Sequence, residues 1–132
     1  MDKKEYAIEL KHNRHNCAQA VLCAYAEDLG MPAEVLKKTG AAFGGGMGCM
    51  EGDCGALCGA QAVLGLMKAE QGPVGRDAAA LYKTFTQKCG SAICKEIKGV
   101  ETGTMLCSCD DCVRNAVETL EELFAAGSSR EG

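Results

Sequence analysis

The sequence is poor in aromatic residues and has no excess of positive charge. Of its 132 residues, three are tyrosine, three are phenylalanine and none is tryptophan, so little is available for stacking on nucleobases. The formal net charge is -4, from 14 basic and 18 acidic residues, which gives no electrostatic basis for binding nucleic acid or an anionic membrane surface. We therefore expect neither of these as a partner.

Long hydrophobic runs are also absent. No segment approaches the roughly 18 consecutive apolar residues that a membrane-spanning helix needs. The first residues, Met1 to Glu5, are polar and run into an amphipathic pattern without the apolar stretch of a signal peptide. The sequence therefore predicts a cytoplasmic protein with no membrane insertion.

The periodicity of the apolar residues is helical almost throughout, and the alternating runs typical of half-buried strands are missing. The length fits one domain with a continuous core. We expect an all-α fold, a compact bundle of six or seven helices in a single domain over residues 1–126, followed by a frayed tail over 127–132. A glycine-rich loop, Gly44 to Gly48, should precede the fourth helix.

The residues that favour helix starts and stops give approximate bounds for these helices. The first three predicted helices run from Lys3 to His12, from the N-cap residue Asn16 to Gly30, and from Pro32 to Lys38. The next two run from Cys54, capped by Asp53, to about Ala69 and from Asp77 to near Gly90. A short helix capped by Ser91 and a last helix capped by Asp110 or Asp111 follow.

Cysteine is abundant, with ten in the chain. In a reducing compartment such a number indicates metal binding or thiol redox chemistry before structural disulfides. For an exported protein, a disulfide scaffold is the alternative, because ten is an even number.

Four of the cysteines lie at the predicted starts of four different helices. Each follows a predicted cap within three residues: Cys17 follows Asn16, Cys54 follows Asp53, Cys94 follows Ser91 and Cys112 follows Asp111. Free backbone N–H groups and the positive end of the helix dipole stabilise a thiolate, so we expect lowered pKa values and good nucleophiles or metal ligands.

The other six cysteines have less distinctive settings. Cys23 lies on an apolar helix face, Cys49 in the glycine-rich region, Cys58 one turn after Cys54, Cys89 at a helix end, and Cys107 and Cys109 just before Cys112. Whether Cys107 or Cys109 replaces Cys112 as a ligand is open at this point. Because no ferredoxin-type spacing is present, tertiary structure would have to assemble any iron–sulfur site from distant segments.

Four segments resemble the C-GCAxxG-C-C family of small proteins described as redox-active. They are NCAQAVL from Asn16, FGGGMG followed by CGALCG from Cys54, GSAICKEI from Gly90, and CVRNAVETLEEL from Cys112. The resemblance implies redox activity through Cys17, Cys54, Cys94 and Cys112. It does not extend to haem, because the chain has no CxxCH haem-attachment sequence.

Three functions are consistent with this pattern. The preferred one is a redox-active electron carrier or oxidoreductase component, with an iron–sulfur cluster held by Cys17, Cys54, Cys94 and Cys112 and an unidentified redox partner protein. The first alternative is a thiol/disulfide protein in which Cys17 and Cys54 cycle. The second is a structural zinc protein without redox activity. A homo-oligomer is compatible with each, and His12 and His15 are expected to be solvated rather than ligands.

Overall fold

A computed structural model describes residues 2–131 of the chain, with side chains as far as residue 126. The predicted tail, 127–132, lies outside the part whose side chains are described.

The chain folds into helices, which confirms the predicted all-α class. The helices are α1 (Lys3–Lys11), α2 (Cys17–Ala24), α3 (Ala26–Leu29), α4 (Ala33–Gly40), α5 (Gly44–Met47), α6 (Gly55–Lys68), α7 (Gly75–Cys89), α8 (Cys94–Lys98) and α9 (Cys109–Glu131), with a 3₁₀ turn over Ala69–Gln71. Within residues 2–131 there is no β-strand, and the only β-type pairing is an isolated bridge between Asp53 and Ile93. None of the helices in this range combines the length and apolar character required to cross a membrane.

Helix α2 is the centre of the bundle. It packs against α1, α4, α6 and α9, while α7 packs on α9 and α6 from the other side. The fully buried side chains come from all the longer helices and include Leu22, Leu36, Leu57, Leu64, Leu81, Phe85 and Leu120. Because α2 is short and nearly every residue in it is buried, its two ends are fixed by the surrounding helices.

Helices α2 and α6 approach each other closely at their N-terminal ends. A Cβ atom on Gly59 would lie 2.8 Å from the backbone oxygen of Ala18, and one on Gly55 would lie 3.5 Å from the backbone nitrogen of Ala18. Gly59 therefore provides the space that α2 occupies, while a Cβ at Gly55 would be in ordinary van der Waals contact with α2. The starts of the two helices consequently lie side by side.

Three predicted bounds away from the cysteine-bearing helix starts were wrong. The second helix is interrupted at Tyr25, whose φ of -100° and ψ of 9° separate α2 from α3, and the turn places the Tyr25 ring in the core, edge-on to Phe124. Helix α4 continues to Gly40 instead of ending at Lys38. Helix α7 begins at Gly75, two residues before the predicted start at Asp77.

The contact between α2 and α6 predicts opposite effects for two Gly-to-Ala substitutions in α6. Gly59→Ala should lower the free energy of unfolding by about 1–3 kcal/mol, because its Cβ meets backbone that cannot rotate away. Gly65→Ala, where a Cβ meets nothing within 4 Å, should raise it by up to about 1 kcal/mol through helix propensity. Urea unfolding of both variants under reducing, anaerobic conditions measures this; equal effects would contradict the proposed close contact.

Candidate metal and redox centre

A cavity of about 40 Å³ lies where four helix N-termini meet. Six cysteines line it: Cys17, Cys54, Cys94, Cys107, Cys109 and Cys112. The structure thus brings together the four cysteines singled out in the sequence, and their role as ligands stays a prediction. No histidine or carboxylate is among the described residues that line this cavity, so its donor atoms are thiols.

Cys17 is positioned by a capping box at the start of α2. The side chain of Asn16 accepts a hydrogen bond from the Gln19 N–H, and the Gln19 side chain accepts one from the Asn16 N–H. This reciprocal pair fixes the first turn of the helix. Cys17 is therefore the first helical residue, as the cap at Asn16 predicted.

Cys54 and Cys94 are joined by backbone pairing between two loops. The Cys54 N–H donates to the Ala92 carbonyl at 2.8 Å, and the Cys94 N–H donates to the Gly52 carbonyl at 3.0 Å. These bonds flank the bridge between Asp53 and Ile93. The pairing holds the start of α6 beside the start of α8, so two thiols that are 40 positions apart reach the same cavity.

This pairing also corrects two predicted caps. Asp53 takes part in the bridge, and Cys54 itself is the N-cap residue of α6. Ile93 is the N-cap of α8, while the predicted cap, Ser91, accepts a hydrogen bond from the Ile93 N–H at 3.1 Å and donates one to Glu96 at 2.8 Å. Both helices therefore begin later than predicted, because the residues before them are extended for the pairing.

The glycine-rich segment, predicted as a loop, contains the short helix α5, which is kinked at Gly45 and Gly46. These two glycines form one wall of the cavity. Gly46 has a φ of +61°, and a Cβ atom there would lie 2.5 Å from Cys94 Cβ and 3.3 Å from Cys94 Sγ. Gly45 shares the positive φ, at +64°, but a Cβ on it would meet nothing within 4 Å. Glycine is thus required at 46 for two reasons, a left-handed backbone and direct contact with a cavity cysteine.

Helix α9 contributes two thiols from its first turn. It begins at Cys109, not at a cap formed by Asp110 or Asp111 as predicted. The Ser108 hydroxyl accepts a hydrogen bond from the Asp111 N–H at 3.1 Å and so caps the helix. Cys112 is three residues after Cys109, which places the two on the same side of the helix.

Cys17 and Cys109 form one thiol pair. The thiols are hydrogen-bonded to each other, and the Lys98 ammonium donates to Cys109 Sγ. Hydrogen bonding with Cys17 and then with Lys98 lowers the pKa of Cys109 to about 5. Hydrogen bonding to the Cys109 thiolate, together with burial, raises the pKa of Cys17 well above its usual range. In the metal-free state the two therefore share one proton.

Cys112 is the centre of a second thiol group. It is hydrogen-bonded to Cys54 and to Cys89, and these contacts raise its pKa well above the usual range. The same contact, followed by the amides at the start of α6, lowers the pKa of Cys54. Hydrogen bonding with Cys112 and then with Asn115 lowers the pKa of Cys89 to about 6.

Only one of the four sequence-based pKa expectations agrees with this structure. The pKa is lowered at Cys54, but it is raised at Cys17, Cys94 and Cys112. At Cys94 burial is the main cause, and at the other two it is hydrogen bonding to a neighbouring thiolate. The helix dipole alone was therefore an insufficient guide, because the cysteines are crowded and buried.

Cys89, Cys107 and Cys112 form a tight cluster that could hold a metal ion. Their sulfur atoms all lie within 4.8 Å of one another. No sequence motif includes Cys89, which ends α7, and the ligand role of Cys107 was an open alternative to that of Cys112. The i, i+3 spacing of Cys109 and Cys112 could have shown that these two share a helix face, whereas no local signal points to Cys89.

The remaining cysteines and the histidines lie away from the cavity. Cys23 is buried in the core, as predicted, and Cys49 is exposed. Cys58 is half-buried, with its sulfur 3.7 Å from that of Met47. His12 contacts Asp110 at 2.9 Å and His15 contacts the Asn13 carbonyl at 2.7 Å. No disulfide joins any of the ten cysteines.

A family model matches residues 15–123 and so spans all four helix starts at the cavity. The chain belongs to the C_GCAxxG_C_C family. That family is described as "Putative redox-active protein (C_GCAxxG_C_C)", which agrees with a cavity whose donor atoms are thiols. Searches among curated proteins and among solved structures gave no match.

The Lys98 contact predicts a pH-dependent reactivity for Cys109 in the C_GCAxxG_C_C domain. With a pKa of about 5, Cys109 of the metal-free protein is mainly thiolate at pH 6, and it is the thiolate that reacts with alkylating agents. Lys98→Met removes the ammonium, raises this pKa and should slow alkylation by iodoacetamide at pH 6 several-fold. Peptide mapping by mass spectrometry measures the rate at Cys109.

Lys95→Met is the matched control, since Lys95 lies in the same helix but pairs with Glu101 and Glu51. Its Cys109 rate should equal that of the unmodified chain. Equal rates in the Lys98 and Lys95 variants would contradict the assigned role of Lys98.

Proposed function

We propose that this protein is a redox-active electron carrier that holds an iron–sulfur cluster at the cysteine cavity. The observation that carries the proposal is the convergence of Cys17, Cys54, Cys94 and Cys112 on one cavity from four separate helix starts. A thiol/disulfide cycle would need only two neighbouring cysteines. Four thiols, each supplied by a different helix start, match the usual number of ligands of an iron–sulfur cluster.

The donor set of the cavity suits such a cluster. Thiolates are the ligands that iron–sulfur clusters prefer, and the described lining offers no carboxylate or imidazole in competition. The glycines at 45, 46 and 55 add no side chain to the wall. When bound, a cluster would supply one-electron transfer, and this chain's residues would hold and shield it.

The protonation of the thiols supports a cation at this site. Cys17 with Cys109, and Cys112 with Cys54, are pairs in which one thiol with a raised pKa lies against a thiolate with a lowered pKa. Ligation requires deprotonated cysteines, so metal binding would release these shared protons. The positive charge of the Lys98 ammonium and of the helix N-termini would stabilise the negative charge of four thiolate ligands.

The proposal extends to location and partner. Ten cysteines in a chain of this length suit metal or thiol chemistry in a reducing compartment, and we therefore propose a cytoplasmic protein. An electron carrier also requires a redox partner protein that exchanges electrons with the cluster.

Anaerobic purification followed by iron, sulfide and zinc analysis tests the cluster. We expect stoichiometric iron and sulfide with visible sulfur-to-iron charge-transfer bands. Cys94→Ser, which removes a buried cavity thiol, should lose most of the iron. Cys58→Ser, which removes a half-buried thiol outside the cavity, should keep it. A colourless protein, or equal iron in the two variants, would overturn the proposal.

Substitutions of the glycines that line the cavity test the same proposal and leave every proposed ligand in place. Gly46→Ala and Gly45→Ala share the cost of a positive φ, about 1–2 kcal/mol, but only the first places a Cβ against Cys94. Gly46→Ala should therefore lose iron, and Gly45→Ala should keep it in the folded fraction.

A thiol/disulfide cycle is the second candidate, and the contact between Cys17 and Cys109 is the observation that favours it. The sequence suggested Cys17 with Cys54, but the thiol hydrogen-bonded to Cys17 is that of Cys109. In this mechanism the Cys109 thiolate attacks a partner's disulfide and releases one partner thiolate. Cys17 passes its proton to the released partner thiolate and attacks the Cys109 sulfur of the mixed disulfide. This forms a Cys17–Cys109 disulfide and releases the second partner thiolate, so that the partner is reduced by two electrons.

Thiol counting before and after mild oxidation by a small-molecule disulfide tests this candidate. We expect the metal-free protein to lose two thiols if the cycle operates, and peptide mapping should assign them to Cys17 and Cys109. Cys109→Ser should then lose none, while Cys49→Ser, which removes an exposed thiol, should still lose the pair. An unchanged count in the unmodified chain would eliminate the cycle.

A further inference from the structure

The cluster of Cys89, Cys107 and Cys112 is built from three separate parts of the chain. Cys89 is the last residue of α7, Cys107 lies in the loop before α9, and Cys112 lies in the first turn of α9. Cys89 and Cys112 are 1% and 2% exposed, and Cys107 is half-buried. Two of the three do not belong to the set of four assigned to the iron–sulfur cluster.

The spacing of these thiols suits a single ion. All three sulfur atoms lie within 4.8 Å of one another. Zinc–sulfur bonds of about 2.3 Å in a tetrahedral site place the sulfurs about 3.8 Å apart. The sulfurs therefore need to close by about 1 Å at most, whereas the ligands of a cluster are kept further apart by its own atoms.

A neighbouring polar group also favours a cation here. Asn115 Nδ2 donates to Cys89 Sγ at 3.3 Å and to Cys107 Sγ at 3.7 Å, which is the kind of outer contact that orients metal ligands.

Cys112 connects this cluster to the cavity. It is in hydrogen-bond contact with Cys54, which lines the cavity, and with Cys89, which does not. A thiol has one proton and cannot donate to both at once. Metal ions on both sides would satisfy the two contacts together.

We propose that Cys89, Cys107 and Cys112 bind one zinc-class divalent ion at the edge of the cavity, distinct from the cluster, with Cys112 shared between the two. A divalent ion leaves a net charge of -1 on three thiolates, less buried charge than a monovalent ion would leave. The ion site stands without the cluster, and only the sharing of Cys112 rests on the proposed function.

Metal stoichiometry of single-cysteine variants tests this site. Protein purified anaerobically is analysed for zinc and iron, and Co²⁺ replaces zinc as an optical probe of thiolate coordination. We expect one zinc per chain in addition to iron. Cys89→Ser and Cys107→Ser should lose the zinc and the cobalt charge-transfer band but keep the iron, whereas Cys94→Ser should lose the iron and keep the zinc. Cys112→Ser should lose both.

Cys58→Ser is the matched control and should keep both metals. Asn115→Leu keeps every cysteine and should weaken zinc binding about 10–100-fold in competition with a chelator, as loss of an outer contact does. This variant serves where a serine variant fails to fold. Zinc binding that survives both Cys89→Ser and Cys107→Ser, or an unchanged zinc affinity in Asn115→Leu, would overturn the site. Absence of iron from every preparation would reject the cluster but not this ion.

Discussion

The arrangement depends on the close approach of α2 and α6 at their N-terminal ends. Gly59 lies against the backbone of Ala18, and a side chain at this position would push the two helices apart. This contact places the starts of both helices side by side, so Cys17 and Cys54 reach one cavity. A stabilising contact in the core is therefore also the contact that aligns the thiols.

The second constraint is the backbone pairing between the loops before α6 and α8. It is too short to form a strand, yet its hydrogen bonds at 2.8 and 3.0 Å connect segments that are 40 positions apart. Helix α5 completes this side of the cavity because Gly46 leaves room for Cys94. Its glycines allow the left-handed backbone at positions 45 and 46 and the close packing of this segment around a thiol.

Crowding of the thiols changes their chemistry more than the helix ends do. Where a thiol is hydrogen-bonded to a thiolate, the pKa of the thiol rises and the pKa of its neighbour falls. Cys17 and Cys109 are such a pair. Metal binding would release the shared protons, because ligation needs deprotonated cysteines. The buried site is then more sensitive to the loss of one thiol than a solvent-exposed site would be, since the remaining thiolates lose a shared partner.

Local signals in the sequence determined the helical class, the cap at Asn16 and the resemblance of the segments around Cys17, Cys54, Cys94 and Cys112 to a family pattern. These features depend on residues a few positions apart, so periodicity and capping preferences reveal them. Tertiary structure alone decided that Cys89 lies beside Cys107 and Cys112, that Lys98 contacts Cys109, and that the pKa values of Cys17 and Cys112 rise. Hydrogen bonds and charges act through space, and the partners in these contacts come from helices and loops that only packing brings together.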